Sequence, residues 1–158
     1  HNVSEHVQET LIETYAAHYL NPHNRNMTLF PEALPCLHRL KQQGYWLAVA
    51  TGKGRSGLDR YIEQTGTQDF WLETACASEY PSKPAPDMVL ALCDRLGVEP
   101  EKAVVVGDTT HDLEMAANAK IRAIAVTTGA HTAKQLSALP HVAMLNSLTE
   151  LPDVLETL

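Results

Sequence analysis

Short, unbroken apolar runs that end on a polar residue beside a glycine constrain this chain more than any other feature. Val104-Val105-Val106-Gly107-Asp108 is the sharpest of them. A strand with one face in water alternates apolar and polar residues. A β-branched run without alternation is covered on both faces, as in a parallel sheet between helices. Gly107 lets the chain turn sharply, and Leu113-Glu114-Met115-Ala116-Ala117 then reads as a helix. Asp108 is thereby predicted at the carboxyl end of a strand and Asp112 near the first turn of the next helix. In open α/β sheets ligands bind at that edge. Two carboxylates four residues apart in sequence suit a hard cation such as Mg²⁺, which takes few carboxylates and completes its shell with waters and phosphate oxygens. The competing reading is that Asp108 only caps the helix.

The same strand-then-helix unit recurs along the chain. Strands are predicted at Tyr45 to Ala50, within Phe70 to Ala77, at Ala103 to Val106, Ala123 to Val126 and Val142 to Leu145. Helices are predicted at Pro31 to Gln43, Ser56 to Gln64, Ala85 to Leu96, His111 to Ala119 and Thr132 to Ala138, with Gly44 and Gly97 as stops. Alternation with short connections means a doubly wound parallel sheet, an α/β fold with helices on both faces. Before it, Val7, Leu11, Ile12, Tyr15, Ala16 and Tyr19 fall on one helical stripe, so Asn2 to Leu20 reads as an amphipathic helix. The polar stretch 21–26, with Pro22, is a linker, and a boundary is expected near Asn26.

At 158 residues with 44% hydrophobic content, one domain with a full core is expected. A formal charge of -7 with no basic block argues against nucleic acid or an anionic membrane surface as partner. No run approaches the roughly 18 apolar residues of a membrane span. Three cysteines without a CxxC pair fit the reducing cytoplasm. The eight histidines show no HExxH or paired ligand spacing, which argues against zinc. Trp46 and Trp71 read as core rather than as stacking platforms for a ligand.

Two further positions can carry chemistry. The strand ending at Ala50 delivers Thr51-Gly52, where a hydroxyl and successive backbone N–H groups can bind a phosphate oxygen without any charge. Taken alone, an ordinary strand-to-helix turn reads the same way. Lys83, between Ser82 and Pro84 with Pro86 beyond, is a lysine on stiffened backbone at a helix start and can act as a directed point charge; taken alone, a solvated surface lysine reads the same way.

In order and context these residues resemble motifs of the haloacid dehalogenase (HAD) superfamily. Leu47-Ala48-Val49-Ala50-Thr51-Gly52 is similar to its second motif, Ser82-Lys83-Pro84 with Pro86 to its third, and Gly107-Asp108-Thr109 with Asp112 to its fourth. Ala50-Thr51-Gly52-Lys53 and Gly129-Ala130-His131 resemble the phosphoglycolate-phosphatase-like branch. The resemblance implies a HAD Rossmann-like core over residues 27–158, with residues 1–26 as the remnant of an α-helical cap and its linker. It implies a magnesium-dependent phosphatase acting on a small phosphorylated metabolite through an aspartyl-phosphate. Thr51 and Gly52 would hold the phosphoryl group and Lys83 would neutralise it. Asp108 would bind Mg²⁺, while Asp112 would act one layer behind it or orient Lys83.

The family's first motif, a strand ending in Asp-x-Asp that carries the nucleophile, has no counterpart among these residues. The resemblance therefore implies a core lacking its first, central strand, with an absent segment on the order of 60 to 80 residues. Two strand edges would face a gap with unpaired backbone groups. The expected remedy is a strand from further chain of the same protein, from a nicked fragment, or from a swapped partner. A phosphomutase shares the whole constellation, and a catalytically inactive binding module is the alternative of another class. A dehalogenase would have little use for Asp108. A signalling receiver domain places its phosphoacceptor Asp ahead of its Thr and Lys, whereas Asp108 follows Thr51 and Lys83.

Overall fold

A computed structural model describes residues 10–13 and 31–158 of the chain. Its strands are β1 (Thr10–Glu13), β2 (Trp46–Thr51), β3 (Trp71–Cys76), β4 (Ala103–Gly107), β5 (Arg122–Val126) and β6 (Ala143–Leu145). Its helices are α1 (Ala33–Gln42), α2 (Arg55–Thr65), α3 (Asp87–Leu96), α4 (Thr110–Ala119), α5 (Ala133–Ser137) and α6 (Leu151–Glu156), with 3₁₀ turns at Pro100–Lys102 and Leu148–Glu150. All described pairings are parallel, in the order β3-β2-β1-β4-β5-β6. The doubly wound sheet is thus present, and the predicted strands and helices from residue 31 onward match it to within a few residues. Helix α6 was not among the expected elements.

The slot between β2 and β4 corrects the sequence reading. A helix was expected across Asn2 to Leu20, yet Thr10–Glu13 form a strand there. Thr10 stands opposite Trp46 and Ala103, and Glu13 opposite Val49 and Val106. The central position is therefore filled from within the chain, and the described core does not lack a strand at this level. The physical reason is the demand of two apolar strands for backbone partners on their facing edges. Leu11 and Ile12 are apolar and Thr10 and Ile12 are β-branched, so the segment satisfies that demand as well as it satisfies a helical stripe. The remainder of residues 1–26, including the expected cap remnant and linker, lies outside the described residues.

Period-two alternation splits the sheet residues between two cores. Leu47, Val104, Val106, Ile124 and Leu145 pack with Leu37 and Leu40 of α1 and Leu151 and Leu155 of α6. On the other face Ala48, Ala50, Ala75, Val105, Ala123 and Ala125 pack beneath Met88 and Leu92 of α3, Leu113 and Met115 of α4, and Leu136 of α5. Small strand residues on this second face let α3 and α4 lie close to the sheet, with the bulk supplied by the helices. That close approach brings the start of α4 and the segment before α3 together at the carboxyl edge. Both tryptophans are half-buried, and Trp71 Nε1 donates to Thr67 Oγ1 at 3.1 Å, so the indole is tied into the scaffold.

Cys36, Cys76 and Cys93 are buried and form no disulfide, and burial pushes the Cys93 thiol up to about 11. A thiol that must lose its proton to react is protected by that shift. The native protein is expected to resist alkylation at Cys93 near neutral pH and to label only on unfolding, as read by mass spectrometry over a urea series. A second expectation concerns β1: backbone amides of Leu11 to Glu13 should exchange as slowly as those of β2 and β4, as hydrogen-exchange mass spectrometry can check.

Candidate active site

Three βα junctions meet at the carboxyl edge. Strand β4 ends at Gly107, and the chain turns at once into α4. A Cβ on Gly107 would stand 2.3 Å from Asp112 Cβ, so only glycine allows the helix's first turn to fold back this tightly. Thr109 caps the helix, its hydroxyl accepting from Asp112 N at 3.2 Å. Asp112 answers as the third residue of a capping box. The cap is therefore Thr109, and the reading of Asp108 as a helix cap does not apply.

Asp112 is 1% exposed and its carboxylate is fully engaged. Oδ2 accepts from Asp108 N at 3.2 Å, Thr109 N at 3.1 Å and Thr109 Oγ1 at 2.9 Å. Oδ1 accepts from Lys83 Nζ at 2.7 Å, in an ion pair whose side chains are 12% and 1% exposed. Lys83 comes from the turn before α3, where Asn118 of α4 also donates to Pro84 O at 2.9 Å. Asp112 thus aims the lysine and has little capacity left for a cation.

Asp108 is equally buried, at 1%. Its Oδ2 accepts from Ala130 N at 2.9 Å, and its backbone carbonyl accepts from His131 N at 3.2 Å. The loop after β5 carries no local sign of a site role in the sequence, although Gly129-Ala130-His131 belongs to the family resemblance. The signal that could have found it is topological, since β5 is the parallel neighbour of β4 and its following loop must pass Asp108.

Thr51 closes β2 and is fully buried. Lys53 N donates to Thr51 Oγ1 at 3.2 Å, which orients the hydroxyl and leaves its proton to be given elsewhere. Gly52 follows, where an added Cβ would meet nothing within 4 Å, so open space lies beside the backbone. Lys53 packs its ammonium 5.7 Å from the Tyr61 ring centroid, and burial lowers its pKa. In the sheet β1 lies between β2, which ends on Thr51, and β4, which leads into Asp108. The described part of β1 stops at Glu13, two positions short of the level of Thr51 and Asp108.

The donor set fits a hard divalent cation. Among the described residues no three His, Cys, Asp or Glu side chains converge as a metal-binding group. A single buried carboxylate with hard oxygen chemistry suits an ion that keeps several waters, as Mg²⁺ does. Among those residues, no helix is long and apolar enough to cross a membrane.

Removing the lysine from the pair should be costly. Lys83→Met leaves a buried carboxylate with neutral donors only, two backbone amides and the Thr109 hydroxyl, and is expected to destabilise the protein by about 3 kcal/mol. Lys83→Met combined with Asp112→Asn should lose clearly less than the sum of the two single changes, as a double-mutant cycle in urea can read.

Comparison with known proteins agrees with this geometry. The sequence pattern of the family described as haloacid dehalogenase-like hydrolase matches residues 1–126. A probable phosphatase, IndB, of Dickeya dadantii strain 3937 is 38% identical over 123 residues, covering 77% of this chain and 54% of that protein. A phosphoglycolate phosphatase of Vibrio vulnificus strain YJ016 is 25% identical over 153 residues, covering 96% of this chain and 67% of that protein. A solved haloacid dehalogenase-like hydrolase from Bacteroides fragilis superposes with a TM-score of 0.74 at 31% identity, over 78% of this chain and 59% of the other. The chain thus spans between about half and two thirds of the length of these relatives. Sequence and fold together place the chain in the haloacid dehalogenase-like hydrolase family.

Proposed function

We propose that this chain forms the phosphate- and cation-handling half of a magnesium-dependent phosphatase for a small phosphorylated metabolite. The observation that carries it is the Lys83–Asp112 pair at 2.7 Å beside the buried Asp108. A lysine held rigid by one acid, with a second buried acid beside it that can take a cation, is an arrangement for a doubly charged phosphoryl group. Phosphoryl transfer needs positioning and charge stabilisation more than covalent chemistry from the protein. In this reading Thr51 Oγ1 and the backbone amides after Gly52 bind phosphoryl oxygens, and Lys83 neutralises them. Asp108 holds the Mg²⁺, which when bound lowers the negative charge that an attacking carboxylate must approach. The phosphatase names of the relatives support the same class.

The attacking carboxylate, which would form an aspartyl-phosphate, is proposed to come from outside these 158 residues. It would arrive on further chain of the same protein or on a partner copy, in the place beside β2 and β4 that Thr10–Glu13 holds here. A cytoplasmic setting is proposed as well, supported by three buried cysteines that form no disulfide. No nucleic acid or membrane partner is invoked.

The test is phosphate release from a panel of small phosphorylated metabolites, with and without Mg²⁺. The natural gene product is expected to release phosphate only with Mg²⁺, and the 158 residues alone to release none. Turnover by the 158-residue chain alone would place the nucleophile among the residues present and refute the external carboxylate. In the active form Asp108→Asn should lower turnover by on the order of a thousandfold and remove the Mg²⁺ response. Conversion of a sugar phosphate to its isomer without release would make the protein a mutase instead.

A further inference from the structure

The loop after β5 touches Asp108 at every step from Gly129 to His131. A Cβ on Gly129 would stand 1.7 Å from Asp108 Oδ2, so the backbone runs directly against the carboxylate. Ala130 N donates to that same oxygen at 2.9 Å, and His131 N donates to the Asp108 carbonyl at 3.2 Å. A loop of this kind holds a carboxylate only as firmly as the loop itself is held. Its fastening is a side chain: Thr110 N donates to His131 Nδ1 at 3.0 Å.

That hydrogen bond has two consequences. Thr110 is the first residue of α4, and its N–H is one of the donors that a helix cannot satisfy internally. The Thr109 cap serves Asp112 N, and Asp112 serves the amides of Asp108 and Thr109, so the Thr110 amide needs another acceptor. The imidazole supplies it. A ring that accepts at Nδ1 carries its proton on Nε2 when neutral, so the contact fixes both tautomer and ring orientation. The loop is thereby pinned to the helix start on one side of Asp108 while it grips the carboxylate on the other. The His111 ring lies 6.4 Å away, centroid to centroid, and is tilted relative to it.

We propose that His131 is a positioning residue for Asp108: its imidazole fastens the Gly129–His131 segment to the first turn of α4, and this holds the carboxylate in the rotamer that meets a divalent cation. The inference rests on the proposed role of Asp108 as the cation ligand. Groups behind a metal ligand commonly set affinity by fixing the ligand's orientation.

Asparagine provides the discriminating substitution, because its Oδ1 stands the same number of bonds from the backbone as the histidine Nδ1. His131→Asn keeps an acceptor for Thr110 N, whereas His131→Ala removes it. Mn²⁺ binding, followed by water-proton relaxation without substrate, is the first readout, and exchange of the Thr110 amide is the second. His131→Ala is expected to weaken Mn²⁺ binding by about tenfold and to speed Thr110 exchange, with β4 and β5 amides unchanged. His131→Asn should restore both. Affinity in His131→Ala equal to wild type, or in His131→Asn as weak as in His131→Ala, would overturn the positioning role. Asp108→Asn separates the two levels of the argument. Lost binding there with retained binding in His131→Ala removes only the role of His131. Binding in Asp108→Asn equal to wild type removes the cation reading and this proposal with it.

Discussion

The carboxylate of Asp112 is the interaction on which the rest of the site depends. Its two oxygens accept from Lys83, from the hydroxyl of Thr109 and from the backbone amides of Asp108 and Thr109. One buried group therefore starts α4, shapes the turn after β4 and fixes the charge that arrives from the segment before α3. A buried carboxylate is tolerable only because both its oxygens find donors and because a cation of opposite sign is in contact. The sheet makes this possible by placing β4 centrally, where the chain leaving it has helix packing on one face and neighbouring strand ends on both sides.

That hub divides the labour of the two aspartates. The pair looks symmetrical in sequence, two acids flanking Thr109-Thr110-His111. In the folded chain Asp112 is consumed by structure and by Lys83, and Asp108 is the acid presented at the edge. Its setting comes from the neighbouring strand: Ala130 and His131, on the loop after β5, meet its side chain and its carbonyl. The site is thus assembled by adjacency across the sheet more than by proximity along the chain.

Much of this was legible beforehand where the local pattern and the global fold ask for the same thing. The unalternating run at 103–106 demanded cover on both faces and received it, from α1 and α6 on one side and α3 and α4 on the other. Thr51, Lys83 and Asp108 each follow from a strand or helix boundary that the sequence marks with glycine or proline. Thr10–Glu13 shows where that logic ends. The segment carries a helical stripe, and nothing local in it announces a central strand. Two edges contributed by residues far along the chain decide its conformation, because unpaired backbone groups between buried strands outweigh a modest helical preference.

The sequence by itself determined the fold class, the family and the identities of the residues at the carboxyl edge, since these depend on periodicity, turn chemistry and residue type. Only the tertiary structure decided which acid pairs with Lys83, that Thr109 rather than Asp108 caps the helix, and that the Gly129–His131 loop grips Asp108. Those outcomes depend on which strand lies beside which and on how few donors reach each buried oxygen. Neither quantity is written into any local stretch of the chain.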